Sequence, residues 1–284
     1  MATHTHHTAP TQYVESGGIR FAYRRFGKPG AVPLVFNQHF TGTMDYWDPA
    51  VTDGLASDRE VILFNNAGIS SSSGDVPSTI DEMGENAIGF VRALGLKQVD
   101  VLGFSIGGLV AQEMALQAPE LVRRLVLVGT GPRGGKGMES LTPEAQAIFG
   151  ATYNPPEHLW LKVHFTPSEA SQSAGRRFLQ RISKRKENRD PEVNEKVAPA
   201  QIEALTKWGV QREGAFEYLR AIRQPTLVFN GDNDVIIYSI NSWILQQNIA
   251  DAQLIIYPDG NHGALYQYPE RFVRHVSNFL DEVA

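Results

Sequence analysis

A serine between two glycines, in the segment Gly-Phe-Ser-Ile-Gly at residues 103–107, is the part of this sequence best suited to covalent chemistry. The apolar run at residues 99–103 predicts a buried strand before it, and the pattern that continues to Ala118 predicts a helix after it. A turn this sharp holds the serine in a strained backbone conformation, and the glycines flank it because a side chain there would collide with neighbouring elements. Ser105 is therefore the predicted nucleophile.

A serine hydroxyl needs a base, which is normally an imidazole oriented by a carboxylate. His262 stands in the sequence Asp-Gly-Asn-His-Gly at residues 259–263, directly after the last predicted strand, whereas His275 falls within the predicted final helix. Loops at the carboxyl edge of a parallel sheet meet one another, so a histidine in such a loop can reach the serine. The predicted base is His262.

Two carboxylates could orient this imidazole, because Asp232 and Asp234 both follow the strand predicted at residues 226–230. Asp232 lies close to the strand end, where an aspartate often closes a turn through its own backbone. We therefore favour Asp234 as the orienting acid, with Asp232 as the alternative.

The elements that must position these residues alternate between strands and helices. Helix starts are marked by Thr79 with Glu82 three residues later, which is a capping box, and by Thr142 before a proline. This alternation predicts an α/β protein with a mostly parallel central sheet and helices on both faces. The predicted strands cover residues 19–23, 33–36, 61–64, 99–103, 125–129, 226–230 and 253–257, and a closing helix covers residues 269–283.

One long segment, residues 132–223, has helix signals but no convincing strand, including candidate helices at residues 173–186 and 201–208. A helical insertion between two strands of the sheet is the simplest account of this break. The predicted organisation is thus a core formed by residues 12–131 and 224–284, with a helical insertion at residues 132–223.

The composition excludes several classes of function. A chain of 284 residues with 42% apolar residues can bury a large core, and a net charge of −5 does not suit a nucleic-acid partner. No apolar run is long enough to cross a membrane, and the N-terminus lacks the apolar core of a secretory signal. Cysteine is absent, which suits a reducing cytoplasm, where we expect the protein as a monomer or homodimer.

Two further segments carry conspicuous charge or histidine. Residues 1–11 include His4, His6 and His7, and we expect a disordered polar tail there rather than a metal site. The basic run at residues 176–189 is interrupted by acidic residues and contains an apolar face, which predicts a solvated helix surface.

The motifs together resemble the α/β-hydrolase superfamily, in its capped esterase and lactonase-like branch, from about residue 13 to residue 280. The resemblance rests on the serine turn with its second glycine pair, Gly-Asp-Asn-Asp at residues 231–234 and Gly-Asn-His-Gly at residues 260–263. The order serine, aspartate, histidine along the chain is also the order of that family. The resemblance implies an α/β-hydrolase fold in which the insertion, placed after the sixth strand, forms a cap over the active site.

The resemblance also implies an oxyanion hole made of the backbone N–H groups of Ile106 and Phe40. Where the family usually has His-Gly before the second donor, this chain has Gln38 and His39. A further departure at residues 65–67 places Asn65 and Ala67 where relatives often have an aspartate and an arginine. Substrate preference therefore does not transfer from the family, and His39 could contact the substrate or serve only in packing.

The predicted function is hydrolysis of a carboxylic ester, including a lactone or macrocyclic ester, of a mainly apolar small molecule. The reaction would pass through an acyl-enzyme with no metal or organic cofactor, and the substrate would be the only partner. Hydrolysis of carbon–carbon or amide bonds and peracid formation use similar residues and remain alternatives, as does a slow-turnover ligand receptor of the same fold. The predicted substrate contacts are His39, Phe104, Trp160 and Phe165.

Overall fold

The computed structural model describes residues 4–30 and 32–282, and within these ranges it contains eight β-strands, ten α-helices and two short 3-10 helices. The strands are β1 (Gln12–Ser16), β2 (Ile19–Gly27), β3 (Leu34–Asn37), β4 (Glu60–Phe64), β5 (Val99–Phe104), β6 (Val122–Val128), β7 (Thr226–Gly231) and β8 (Ala252–Tyr257). The helices are α1 (Pro49–Ala56), α2 (Ile80–Ala93), α3 (Ile106–Gln117), α4 (Pro143–Gly150), α5 (His158–His164), α6 (Glu169–Ile182), α7 (Val197–Gly209), α8 (Ile240–Asn248), α9 (Ala264–Gln267) and α10 (Pro269–Asp281). None of the helices in the described ranges is long and apolar enough to cross a membrane.

The eight strands form one sheet in the order β1-β2-β4-β3-β5-β6-β7-β8. Strands β1 and β2 pair antiparallel, β2 also pairs antiparallel with β4, and all other neighbours are parallel. The predicted mostly parallel sheet is thus confirmed. Strand β1 was not predicted, because it is a short edge strand whose residues are all partly exposed and whose apolar pattern is therefore weak.

Alternate residues of the central strands bury against helices on the two faces of the sheet. In β5, Val101 packs on the face covered by α2 and α3, whereas Leu102 and Phe104 pack on the face covered by α1 and α10. The start of α2 follows the predicted capping box, since the Thr79 side chain accepts a hydrogen bond from the Glu82 N–H. Helices on both faces are therefore confirmed, and the carboxyl ends of the parallel strands lie at one edge.

Helices α4 to α7 all lie in the segment between β6 and β7, where the sequence predicted a helical insertion. Helix α4 begins as predicted, with Thr142 as N-cap and proline at the first helical position. Several contacts connect the insertion to loops at the carboxyl edge of the sheet. The Gln201 side chain accepts the Thr41 N–H, and the backbone of Phe165 forms a bridge with Gly260.

The expectation of a disordered N-terminal tail is wrong for residues 4–11, and residues 1–3 lie outside the described ranges. The His6 imidazole is buried with its Nδ1 at 2.9 Å from Thr52 Oγ1, and the His6 N–H donates to Asp53. Burial lowers the pKa of His6 to about 3, so this side chain is neutral at pH 7. The segment is therefore a packed part of the fold, attached to α1.

The expectation that the basic run forms a solvated surface is wrong for two of its arginines. Arg181 makes two hydrogen bonds, of 2.7 and 2.6 Å, to the buried carboxylate of Asp48. Arg185 is 4% exposed and donates to the backbone carbonyls of His6, His7 and Ala9. These arginines join α6 and the loop after it to the core and to the N-terminal segment.

Arg185 also belongs to a buried group of charges, which we call the anchor cluster: Arg24, Asp45, Arg185 and Asp190. Arg24 of β2 is 0% exposed, donates to Asp45 at 2.6 Å and lies 3.6 Å from Asp190, which comes from the insertion. Burial alone would raise the pKa of Asp45, but the hydrogen bond and the charge of Arg24 outweigh it and hold that pKa below its usual value. The cluster connects the first half of the sheet to the insertion.

Replacing Arg24 with methionine should lower the free energy of unfolding by about 3–5 kcal/mol, because Asp45 and Asp190 would stay buried without this partner. Arg25→Met is the matched control, since the neighbouring arginine points to the other face, is 35% exposed and pairs with Glu60. Arg25→Met should lower the free energy of unfolding by less than about 1 kcal/mol. Urea unfolding of both variants measures the difference, and equal losses would contradict the role given to the anchor cluster.

Candidate active site

Ser105 stands between β5 and α3 in a backbone conformation that side chains rarely adopt, with φ of +58° and ψ of −124°. The two flanking glycines leave no room for side chains. A Cβ at Gly103 would lie 2.2 Å from the Gly107 carbonyl oxygen, and a Cβ at Gly107 would lie 2.1 Å from the Asn37 carbonyl oxygen. The predicted sharp and strained turn is what the structure shows, and it presents Ser105 at the carboxyl edge of the sheet.

Asp234 and His262 meet at the same edge, in the loops that follow β7 and β8. Asp234 Oδ2 lies 2.9 Å from His262 Nδ1, and both residues are at least 96% buried. The other carboxylate oxygen of Asp234 accepts the N–H groups of Ile236 and Ile237, at 2.9 and 3.0 Å. Because a carboxylate accepts, Nδ1 of His262 carries the hydrogen, which leaves Nε2 as the ring nitrogen with a free lone pair.

The competing carboxylate, Asp232, has a different environment. Its Oδ1 accepts the Gly260 N–H at 3.1 Å and the Asn233 side-chain amide at 2.6 Å, and the residue is exposed. These contacts close the turn between the loops after β7 and β8, as the sequence analysis expected of this alternative. The geometry therefore favours Asp234 as the partner of His262.

The ring of Phe104, the residue before Ser105, connects the serine turn to the imidazole. Its centroid lies 4.9 Å from that of His262 and 5.6 Å from that of His39. Gly129, at the end of β6, makes room for this arrangement, since a Cβ there would lie 3.3 Å from two His262 ring atoms. The predicted substrate contact Phe104 is fully buried and packs beneath His262.

The two predicted oxyanion donors lie in adjacent segments. Ile106 is the first residue of α3, so its N–H has no acceptor within the helix. Phe40 lies in the loop after β3, which contacts the serine turn directly through the close approach of Gly107 to the Asn37 carbonyl. The Gln38 side chain holds this loop by accepting the His39 N–H and donating to the Thr43 carbonyl.

His39 is 4% exposed and sits among aromatic rings, with centroids at 5.1 Å for Trp160 and 6.0 Å for Tyr46. Its Nδ1 lies 2.9 Å from the Phe40 carbonyl oxygen. Burial lowers the pKa of His39 to about 4, against the opposing effect of that hydrogen bond, and nearby His262 lowers it further. His39 is therefore a neutral imidazole at pH 7.

A third histidine at this place, His164 at the end of α5, was not found from the sequence. Its ring is parallel to that of His262, with centroids 6.1 Å apart, and parallel to that of Trp160, with centroids 5.3 Å apart. The loop that carries His262 contacts the backbone of His164, since the Gly263 N–H donates to the His164 carbonyl at 3.0 Å. Trp160 and His164 are four residues apart on α5, a helix that was not predicted from the sequence, and this spacing places their side chains on one face.

The two aromatic residues predicted from the insertion occupy different environments. Trp160 is half-buried and lines a groove of about 820 Å³ on the outer surface, which Tyr46 and Arg189 also line. Phe165 is 2% exposed and packs against Phe178, beneath Gly175. Trp160 thus lies between the groove and His164, whereas Phe165 packs within the insertion.

No group of three or more histidine, cysteine, aspartate or glutamate side chains in residues 4–30 and 32–282 is arranged to hold a metal ion. The arrangement present is a hydroxyl on a strained turn, an imidazole fixed by a carboxylate, and a helix N-terminus beside the serine. Enzymes that carry out nucleophilic acyl transfer use groups of these kinds.

Three known proteins show what the chain is similar to. A solved structure of an alpha/beta hydrolase fold protein from Chitinophaga pinensis is 40% identical, with a TM-score of 0.91 over 99% of this chain and 100% of that one. A 2-hydroxymuconate semialdehyde hydrolase of Pseudomonas putida is 31% identical over 70% of this chain and 68% of its own length. A Rhizobium rhizogenes protein, provisionally named a carbamate hydrolase, is 24% identical over 92% of this chain and 97% of its own length.

The family model of the alpha/beta hydrolase fold matches residues 32–269, which cover both the serine turn and the loop of His262. The relatives are named as hydrolases with different substrates, so their names agree on hydrolysis and not on the bond that is cleaved. The fold, the family model and the similar proteins point to one conclusion. The chain belongs to the α/β-hydrolase fold family.

Proposed function

We propose that this protein hydrolyses carboxylic esters, including lactones, of mainly apolar small molecules, with Ser105 as nucleophile, His262 as base and Asp234 as orienting acid. The observation that carries the proposal is the 2.9 Å contact between Asp234 and His262 beside the strained turn of Ser105. A carboxylate that fixes the imidazole tautomer keeps the other ring nitrogen available to accept the proton of a neighbouring hydroxyl.

In the proposed reaction, Ser105 Oγ forms a bond to the ester carbonyl carbon while its proton passes to His262 Nε2. The N–H groups of Ile106 and Phe40 stabilise the resulting oxyanion, and Asp234 stabilises the imidazolium. The carbon–oxygen bond to the alcohol then breaks, and the alcohol leaves with the proton from His262. Water attacks the acyl-enzyme in the same way, which releases the acid and returns the proton to Ser105.

Esters are favoured over amides because an alkoxide leaves the tetrahedral intermediate with less help from proton transfer than an amine nitrogen, whose departure depends fully on a proton from His262. The surroundings favour an apolar acyl or alcohol group, since the rings of Tyr46 and Trp160 pack around His39. Carbamate, amide and carbon–carbon bonds remain second candidates, because the similar proteins carry names of differing substrates.

A panel of substrates with matched acyl groups tests the proposal: an aryl ester, a lactone, an aryl carbamate, an anilide and a 1,5-diketone. We expect kcat/KM for the ester or the lactone to exceed that for the carbamate and the anilide by at least about 100-fold, which is roughly 3 kcal/mol. Repeated turnover at substrate excess would exclude a ligand receptor. A carbamate or diketone that is cleaved faster than both esters would contradict the proposed substrate class.

A further inference from the structure

Three ring nitrogens next to the candidate active site are buried without a hydrogen-bond partner in the described part of the chain: Nε2 of His39 and both nitrogens of His164. The two side chains are 4% and 1% exposed. A buried polar atom without a partner costs about 1–3 kcal/mol, and such atoms are uncommon in native proteins. These nitrogens therefore call for an explanation.

The hydrogen-bonding role of His39 follows from its other nitrogen. Nδ1 lies 2.9 Å from the Phe40 carbonyl oxygen, which can only accept, so Nδ1 carries the hydrogen. A neutral imidazole has a single N–H, and Nε2 is therefore a lone-pair acceptor. His39 can accept a hydrogen bond from a ligand but cannot donate one.

His164 complements this role. Burial lowers its pKa well below the usual value, and its neighbours His39 and His262 lower it further, so it is neutral at pH 7. With both nitrogens free, it offers one donor and one acceptor. Its ring lies 5.5 Å from that of His39, centroid to centroid, so the two imidazoles are direct neighbours.

Both imidazoles lie close to the reacting groups. His39 and Ile106, the candidate oxyanion donor, line the same cavity of about 40 Å³. His164 is stacked on the side of His262, and Phe104 contacts both histidines. His39 thus lies beside Ile106 and His164 beside His262, so a substituent near the scissile carbonyl would be the part of a substrate closest to these two histidines.

We propose that His39 and His164 form a polar subsite that selects substrates with an uncharged hydrogen-bond donor, a hydroxyl or an amide N–H, near the scissile ester carbonyl. This inference rests on the proposed ester hydrolysis and specifies its substrate class. A hydroxyl suits the pair because it can donate to His39 Nε2 and accept from the His164 N–H. A carboxylate does not, because it would face the His39 lone pair and would be buried without a cation.

The test compares phenyl esters of butyrate, 2-hydroxybutyrate, 3-hydroxybutyrate, 3-methoxybutyrate and monosuccinate, each kcat/KM being divided by the rate of alkaline hydrolysis of that ester. We expect one hydroxy ester to exceed butyrate by at least about tenfold, as one added hydrogen bond of ordinary strength allows. The methoxy ester cannot donate and should lose this advantage, and the succinate ester should react more slowly than butyrate.

The variants His39→Phe and His164→Phe should lower the ratio of hydroxy ester to butyrate towards one, whereas purely structural rings would leave this ratio unchanged. His275→Phe is the matched control, because this histidine lies in α10 outside the site, and it should keep the wild-type ratio. His39→Gln, which retains an acceptor oxygen, should keep part of the preference and covers the case in which His39→Phe does not fold.

The outcomes separate the two proposals. If the wild-type protein cleaves the butyrate ester and prefers neither hydroxy ester, the proposed subsite is wrong and the proposed ester hydrolysis is unaffected. Wild type that cleaves no ester of the series overturns the proposed function and the subsite with it. A preference that survives in both phenylalanine variants assigns the selectivity to other residues and also overturns the subsite.

Discussion

Replacing Ser105 with alanine should lower kcat/KM for a cleaved ester by about 10⁴-fold to 10⁶-fold, because only the nucleophilic oxygen is removed and no other group can form the acyl-enzyme. The fold should be retained. Alanine keeps the Cβ of serine and therefore the same backbone strain at φ +58°, and the cap of α3 does not use the Ser105 side chain.

A phosphonate that reacts with activated serines provides the second measurement. Wild type should gain one adduct, located at Ser105 by mass spectrometry, and the alanine variant should gain none. Ser277→Ala is a matched control, since it removes a buried hydroxyl that has no partner among the described residues, and it should be labelled like wild type. Undiminished turnover in Ser105→Ala would show that the nucleophile is a different residue.

Replacing Asp234 with asparagine should lower kcat by about 10⁴-fold, a loss typical of this change in a serine–histidine–aspartate site. The amide oxygen can still accept the N–H groups of Ile236 and Ile237, which turns the NH₂ group towards His262 Nδ1. Nδ1 must then accept, so the hydrogen moves to Nε2 and the base loses the lone pair that would take the proton of Ser105.

Asp232→Asn, two residues earlier in the same loop, is the control for this prediction. Its side chain keeps an oxygen that can accept the Gly260 N–H, so we expect kcat within about threefold of wild type. Steady-state kinetics on one ester compares the two variants directly. Equal losses would leave the orienting acid unassigned, and a larger loss at Asp232 would reverse the assignment.

The placement of the candidate site could be predicted from the sequence because it depends on local patterns. Each of Ser105, Asp234 and His262 lies in the turn or loop that follows an apolar strand segment, and the carboxyl ends of parallel strands meet at one edge. The choice between Asp232 and Asp234 was harder, because it depends on which carboxylate the two isoleucine N–H groups orient. That is a property of the folded loop.

The errors came from contacts between residues far apart in the chain. The N-terminal segment has a polar composition, but it is ordered because Arg185, about 180 residues later, donates to its carbonyl groups. Arg181 was assigned to a solvated surface because its partner, Asp48, lies in a different element. His164 carried no motif of its own, and its importance depends on its stacking against His262.

The arginines that attach α6 imply that the insertion does not open as one unit. Local opening of α6 would leave Asp48 buried without Arg181, and Arg185 holds the segment directly after α6, whereas Ala145 is the only buried residue among the eight of α4. Amide protons exchange through such openings, so exchange should be slow in α6 and fast in α4.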